Sequence, residues 1–413
     1  MREAIQLTFG PYGHTLHHNQ VISPDNQWIV YDTRNEDSQI CTTTRIERVN
    51  HFTKVIEVLY EVPNFNEYGP GVGAVTYAPH EDRVIFIHGI SNASKSKPYG
   101  MTRRSGVAID VNKPNYPIYM DARDIYEPFT KGALRGGTHS HAWSNDGTKI
   151  SFTYNDYVLS NNGLPEERVV GVMYPKEVNV NSKDSIECFS GKMFSVLISK
   201  IVQSATPGSD EIEKAFDECW LGDKNSIIFQ GWVRDSNGDR KTEVFKVDLP
   251  IDINNISLNE LIEGSSNSLP YVPSLFKQQR LTTTPRGLSS FRHWLRSSPN
   301  GKIIYFLMED DNLITNLFQL DLETNELIQL SHHTNSIHSP FNISPDGNKL
   351  IYFCNHQLIV YDCLENNFIE LTTQNFELSG IPNFDKSGKY IFFNKYVVDK
   401  NASKFLQIFK IEL

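Results

Sequence analysis

The sequence predicts an all-β fold, a seven-bladed β-propeller. Three observations carry this reading: a turn–strand unit repeated seven times, a second hairpin after most copies, and chain ends that complement each other. The copies are SPDNQWIVYDTR (23–34), APHEDRVIFIHG (78–89), SNDGTKISFTYN (144–155), a degenerate LGDKNSIIFQGW (221–232), SPNGKIIYFLME (298–309), SPDGNKLIYFCN (344–355) and FDKSGKYIFFNK (384–395). Ser-Pro followed by Asp-Gly or Asn-Gly is turn chemistry, because Pro presets φ and Gly accepts positive φ. The strand after each turn is apolar nearly throughout, which marks burial on both faces.

A further strand, turn and strand follow most copies, as in NLFQLDLETNELIQLS (316–331) and QLIVYDCLENNFIELT (357–372). With the stretch before each turn, this makes four strands per unit. The last unit ends at FLQIFKIEL, one strand short, while the opening AIQLTF (4–9) resembles the outer strands ELIQLS and FIELTT. The N-terminal strand is therefore expected to complete the last blade and leave no open ring edge. A single domain over 1–413 follows, with insertions at about 155–220 and 250–280 where the copies lie further apart. Within the first, TPGSDEIEKAFDECW (206–220) reads as a helix: Ser209 is placed to cap it, and Ile212, Ala215, Phe216 and Cys219 fall at helical spacing.

The formal charge of −10 argues against a general nucleic-acid binder. The five cysteines are odd in number and contain no C-x-x-C pair, so reduced thiols are expected. No apolar run is long enough for a membrane span, and the first residues hold no signal core. A cytoplasmic protein is the expectation. There is also no G-x-S-x-G elbow and no phosphate-binding glycine loop.

The strand before each turn lines the channel of a propeller. Four or five residues before the start of each copy stand His18, Gly73, His139, Asp217, His293, Ser339 and Gly380. His141 follows His139 by two, and an extended backbone would turn both to one face. His139, His141, His293 and His18 are thus candidate ligands of a divalent metal (Mn first, then Zn, Fe or Ni). His17, His14 and His338 are further candidates. The alternative is that these rings only hydrogen-bond the channel wall. Arg135, Arg286, Arg292 and Arg296 flank the same strands, and Arg103 and Arg104 sit in a nearby loop. A guanidinium binds carboxylates in bidentate fashion, which suggests a small anionic ligand. The tryptophans beside these strands read mainly as packing between blades, and one of them as a platform for a sugar ring.

The turn–strand units resemble those of TolB-type propellers. The segments LRGGTHSHAWSNDGTKISFTYND (134–156), TPGSDEIEKAFDECW (206–220) and FRHWLRSSPNGKIIYFLMEDDN (291–312) look like the YidR-like family of bacterial propellers along nearly the whole chain. A looser similarity, carried by His139, His141 and His293, is to oligogalacturonate lyase. That resemblance implies manganese held by histidines and a glutamine, for which Gln20 is the nearest candidate. It also implies β-elimination on a uronate-like oligosaccharide, with Arg135 or Arg292 holding the carboxylate or acting as base. The competing expectation is a non-catalytic propeller that binds a protein partner or a small anion.

Overall fold

Seven antiparallel sheets form the blades of a propeller. The structure, a computed structural model, describes residues 3–165, 167–256, 262–372 and 377–413. Part of the expected 250–280 insertion, residues 257–261, lies outside the described residues. Six sheets have four strands. The first has three, Trp28–Asp32, Arg45–Asn50 and Ile56–Glu61. Its innermost strand is reduced to the bridges Thr15–Asp32 and Ile22–Ile29. The ring closes as expected. Ile5–Gln6 pairs with Lys404–Glu412 as the outermost strand of the last blade, with Ile5 opposite Lys410.

The core is a series of layers between adjacent blades. Leu307 and Leu317 of blade 5 pack on Leu350, Tyr352 and Ile359 of blade 6, and all five are buried. Each such side chain contributes roughly 1.5–3 kcal/mol. The central strands are apolar on both faces because each has a neighbouring blade on either side; Ile150–Asp156 is buried throughout.

The repeated turn has a specific hydrogen-bond logic. The Ser144 hydroxyl donates to Asp146 (2.5 Å) and accepts from the Lys149 N–H (2.9 Å). Ser23 with Asp25 and Trp28, Ser298 with Asn300 and Ile303, and Ser344 with Asp346 and Lys349 do the same. Gly147, Gly301 and Gly347 take positive φ in the same turns. Turns of neighbouring blades also bond one another. Asn26 reaches Asp385, His80 the Asn145 carbonyl, Asn145 reaches Asp223, and the Asp223 N–H the Pro299 carbonyl. The signature therefore builds a structural ring at one end of the molecule.

The helix expected over 206–220 is not formed. Ala215–Trp220 is instead the inner strand of blade 4, paired with Ser226–Arg234. The residues before it are irregular: Gly208 lies at φ +76°, and Ser209 donates back to the Thr206 carbonyl rather than capping a helix. Sheet pairing outweighed a four-residue apolar periodicity, since the blade has no other innermost strand. The single α-helix among the described residues is Tyr157–Asn161, capped by Asp156 accepting from the Leu159 N–H.

Candidate functional site in the central channel

The chain entering blade 1 crosses the propeller axis. The Gln20 carbonyl accepts from the Tyr77 N–H in blade 2 (2.7 Å). The Gln20 amide pairs with the main chain of Trp143 in blade 3. The His18 carbonyl receives Arg296 of blade 5 and Asn342 of blade 6, each at 2.8 Å. The His17 carbonyl receives Asn383 of blade 7 at 3.2 Å. Three residues within a four-residue stretch are thus tied to five other blades, and the stretch forms a floor across the channel.

Above this floor lies a cavity of about 650 Å3, within the usual size range of small-molecule sites. Its walls come from inner strands interrupted by bulges. Ala74, Ser140, Asp217 and Gly380 take positive φ at corresponding places in blades 2, 3, 4 and 7, where pairing with the next strand slips. A bulge re-aims side chains that strict alternation would send elsewhere.

This corrects the expectation that His139 and His141 share a face. Ser140 between them lies at φ +57°. His139 and Ser140 line the cavity. His141 turns between blades, with Nε2 2.9 Å from the Thr138 hydroxyl and against Gly106. Burial brings the His141 pKa down to about 3. His293 is not a free donor either. Its Nδ1 lies 2.8 Å from the Phe291 carbonyl and its Nε2 accepts from the Leu307 N–H at 3.1 Å. Both nitrogens are engaged with backbone, and burial lowers the pKa to about 4. His18 and His17 line the floor. The His18 ring stacks on Trp294 at 4.3 Å, and its Nδ1 lies 3.4 Å from the Arg296 guanidinium. His338 lines the wall, while His14 stacks on Tyr12. Gln20 spends its amide on Trp143.

A histidine–glutamine metal site does not fit these residues. Among the described residues, no three His, Cys, Asp or Glu side chains come together as ligands of one ion. Of the ring nitrogens without a partner among the described residues, those of cavity-lining histidines, His139 Nδ1, His17 Nε2 and His18 Nε2, are buried among arginines instead, while His141 Nδ1 and both nitrogens of His14 are unpartnered away from the cavity.

Those arginines define the site. Arg34, Arg104, Arg168 and Arg292 all line the cavity. Arg34 is paired with Asp32 (2.7 Å) and Asp37 (2.8 Å). Arg292, half exposed at the mouth, lies 3.4 Å from Asp217 and 3.7 Å from Asp37, and covers Trp294 at 4.4 Å. Arg104 is different. It is 3% exposed, its Nη1 donates to the Tyr99 hydroxyl at 3.2 Å, and its Nε and Nη2 have no partner among the described residues. Burial first, then the charges of Arg104, Arg168 and Arg292, hold the His139 pKa far below the ordinary histidine value. His139 is therefore neutral at pH 7.

The other expected arginines serve the scaffold. Arg135 is fully buried away from the cavity. It is paired with Asp156 at 2.7 Å, bonded to the Ser265 and Ser268 carbonyls, and set over the Phe129 ring. Its expected role at the substrate is corrected on this geometry. Arg103 pairs with Glu187, and Arg286 reaches the Asp310 carbonyl. Arg34 and Arg168 carry no sequence signal of the kind that marks the inner strands. Arg34 follows the second strand of its blade and Arg168 opens the third strand of its own.

Known proteins share this architecture. A relative from Escherichia coli (strain K12), named "Uncharacterized protein YidR", is 36% identical over 362 residues, covering 86% of this chain and 85% of the relative. The chain belongs to the YidR-like family. Residues 71–187 also match a family described as "Protein of unknown function (DUF3748)". Among solved structures, an oligogalacturonate lyase in complex with manganese superimposes with a TM-score of 0.59 at 10% identity, over 100% of this chain and 93% of the other. A puromycin-hydrolyzing peptidase of Mycobacterium tuberculosis gives 0.54 at 11% identity, over 97% of this chain and 54% of that one. At such identities the likeness is one of fold. In this YidR-like chain, no helix among the described residues is long and apolar enough to cross a membrane.

Proposed function

We propose that the channel of this YidR-like propeller binds a small carboxylated ligand of the uronate-saccharide class. The observation that carries this reading is Arg104. A guanidinium buried without a carboxylate partner is costly, and an anionic ligand removes the cost by supplying the missing acceptor. Arg168 and Arg292 add positive charge on the same cavity, and His139 and Trp294 offer neutral, polarisable walls. A pocket that mixes apolar lining with a few directed polar groups suits a sugar ring bearing one acidic group.

The same geometry supports chemistry. A neutral imidazole beside guanidinium groups can accept the proton next to a carboxylate, whose negative charge the arginines hold as it spreads. In β-elimination that proton leaves C5, the C4–C5 double bond forms, and the 4-O group departs with the electron pair. His139 is the base in this reading and Arg104 the carboxylate clamp. The metal implied by the lyase resemblance finds no matching donor set among the described residues, so no step passes through it.

Calorimetric titration with digalacturonate and with the neutral digalactoside, on wild type and Arg104→Met, tests the binding. The acid should bind wild type at least tenfold more tightly than the neutral sugar and lose that margin in the variant. Equal affinity for both sugars refutes the reading. Ultraviolet absorbance of an unsaturated product, lost in His139→Gln with binding retained, tests the elimination. Elemental analysis of the same preparation tests for a bound divalent ion.

A further inference from the structure

Two N–H groups in the lining of the channel lack an acceptor. His18 and Trp294 both line the cavity and are 1% and 5% exposed. Neither the Trp294 Nε1 nor the His18 Nε2 has a hydrogen-bond partner among the described residues. An indole nitrogen can only donate. The His18 tautomer follows from the other side of its ring. There Nδ1 lies 3.4 Å from Nη2 of Arg296, and a guanidinium has no lone pair to offer. Nδ1 is therefore the acceptor, and the ring proton sits on Nε2. Burial first, then the charges of His17, Arg296 and Arg292, hold the His18 pKa far below the ordinary value, so the ring carries that one proton at pH 7.

Packing keeps both groups from turning to another partner. The His18 ring lies flat on the indole, with 4.3 Å between centres and 2° between planes. Arg292 covers the same indole at 4.4 Å, and His17 meets both rings edge-on. Arg296 is itself fixed by Asn342 and by the carbonyls of Leu295 and His18. Buried donors rarely stay unpaired in a native protein, and two rigid ones in a cavity lining are satisfied by what fills the cavity.

We propose that His18 and Trp294 form a donor pair that reads the neutral oxygens of the ligand, its hydroxyl or ring oxygens, while Arg104 takes the carboxylate. This rests on the reading that the channel takes a uronate, and it narrows the ligand to a sugar acid rather than any carboxylate of similar size. A ligand with CH groups in place of those oxygens leaves both N–H groups unpaired, which is how a site built for hydrogen bonds rejects an analogue without them.

The test is calorimetric titration with methyl galacturonide and with cyclohexanecarboxylate, which keeps a six-membered ring and the acid but has no other oxygen. Trp294→Phe retains an aromatic ring without the N–H. His18→Ser removes the imidazole and retains the main-chain carbonyl that holds Arg296 and Asn342. Wild type should prefer the sugar acid at least tenfold, and each variant that melts as a folded protein should cut that preference at least fivefold. Equal affinity of wild type for the two acids overturns the donor pair and leaves the carboxylate reading of the channel intact. A preference that survives either substitution also overturns it. If neither variant folds, the indole 15N–1H signals of the five tryptophans in wild type give the reading. One signal should move downfield with the sugar acid and not with cyclohexanecarboxylate, and no such signal overturns the pair. Failure of both acids to bind overturns both proposals.

Discussion

The side-chain amide of Gln20 pairs with both main-chain groups of Trp143. It donates to the carbonyl at 2.8 Å and accepts from the N–H at 2.9 Å. One residue from blade 1 thereby holds blade 3 across the axis, past blade 2. A carboxamide is the right group because it offers a donor and an acceptor side by side. Replacement by Glu keeps the acceptor but faces the Trp143 carbonyl with a second oxygen. Gln20→Glu should therefore destabilise more than Gln20→Ala. Each should cost on the order of 1–3 kcal/mol, read as a lower urea midpoint at unchanged slope.

Ring closure makes the first residues structural. Leu7 is buried, its N–H donates to the Ile408 carbonyl at 2.8 Å, and the Thr8 hydroxyl accepts from the Ile408 N–H at 2.9 Å. Removal of residues 1–10 should lower the melting temperature by several degrees. It should also promote association, since it bares the Lys404–Glu412 strand as a free edge. Light scattering during a thermal ramp checks both outcomes. A truncated chain that melts like wild type would show that the last blade closes without this strand.

Ser140 occupies a left-handed backbone position at φ +57° while being buried. Glycine adopts that conformation without strain and a β-branched residue resists it. Ser140→Gly should be close to neutral in stability, and Ser140→Val should lose roughly 1–3 kcal/mol. The measurement is chemical unfolding of both variants. If the bulge aims His139 into the cavity, Ser140→Val should also weaken uronate binding more than Ser140→Gly does.

Buried neutral histidines set the acid limit. His293 and His14 are held at about 4 and His141 at about 3, against an ordinary 6.5, in each case mainly by burial. Between pH 6.5 and those values the unfolded chain binds protons that the native state refuses. Stability therefore rises with pH across this window and is lost as pH falls through it. Urea midpoints measured from pH 7 down to pH 4.5 should fall steeply. His141→Asn should reduce the slope by up to one proton, and an unchanged slope would count against a neutral buried ring there.

Glu218 acts in the opposite sense. Burial raises its pKa from 4.5 to about 8, and the Thr153 hydroxyl donates to its carboxyl group at 2.6 Å. The native state keeps a proton that the unfolded chain gives up above pH 4.5. This contribution is complete below pH 4.5 and fades as pH rises through 8, by about 1.4 kcal/mol for each pH step of one across that window. Glu218→Gln, neutral at every pH, should be more stable than wild type at pH 8 and nearly equal to it at pH 5. Unfolding curves at the two pH values decide it.

Blade number, turn chemistry and ring closure were legible in the amino-acid sequence, because each is local or repeated. Ser144, Asp146 and Gly147 dictate their turn within six residues, and seven variants of one unit reinforce one another. Arg292 was also legible as a channel residue, because its distance from the following turn places it at the inner strand. The direction in which the inner-strand side chains face emerged only on folding. A single left-handed residue, Ser140, separates His139 from His141, and a bulge leaves no period to read. Folding also chose the partners. His293 meets the Leu307 N–H and Arg135 meets Asp156, contacts made when strands pair, whereas Arg104 meets no acid among the described residues. The residues 206–220 hold a strand rather than a helix because an inner position in blade 4 stood open, a demand that comes from the closed ring and not from the segment. Strand identity follows from short-range pattern; the makeup of the site follows from which side chains the ring leaves unpaired.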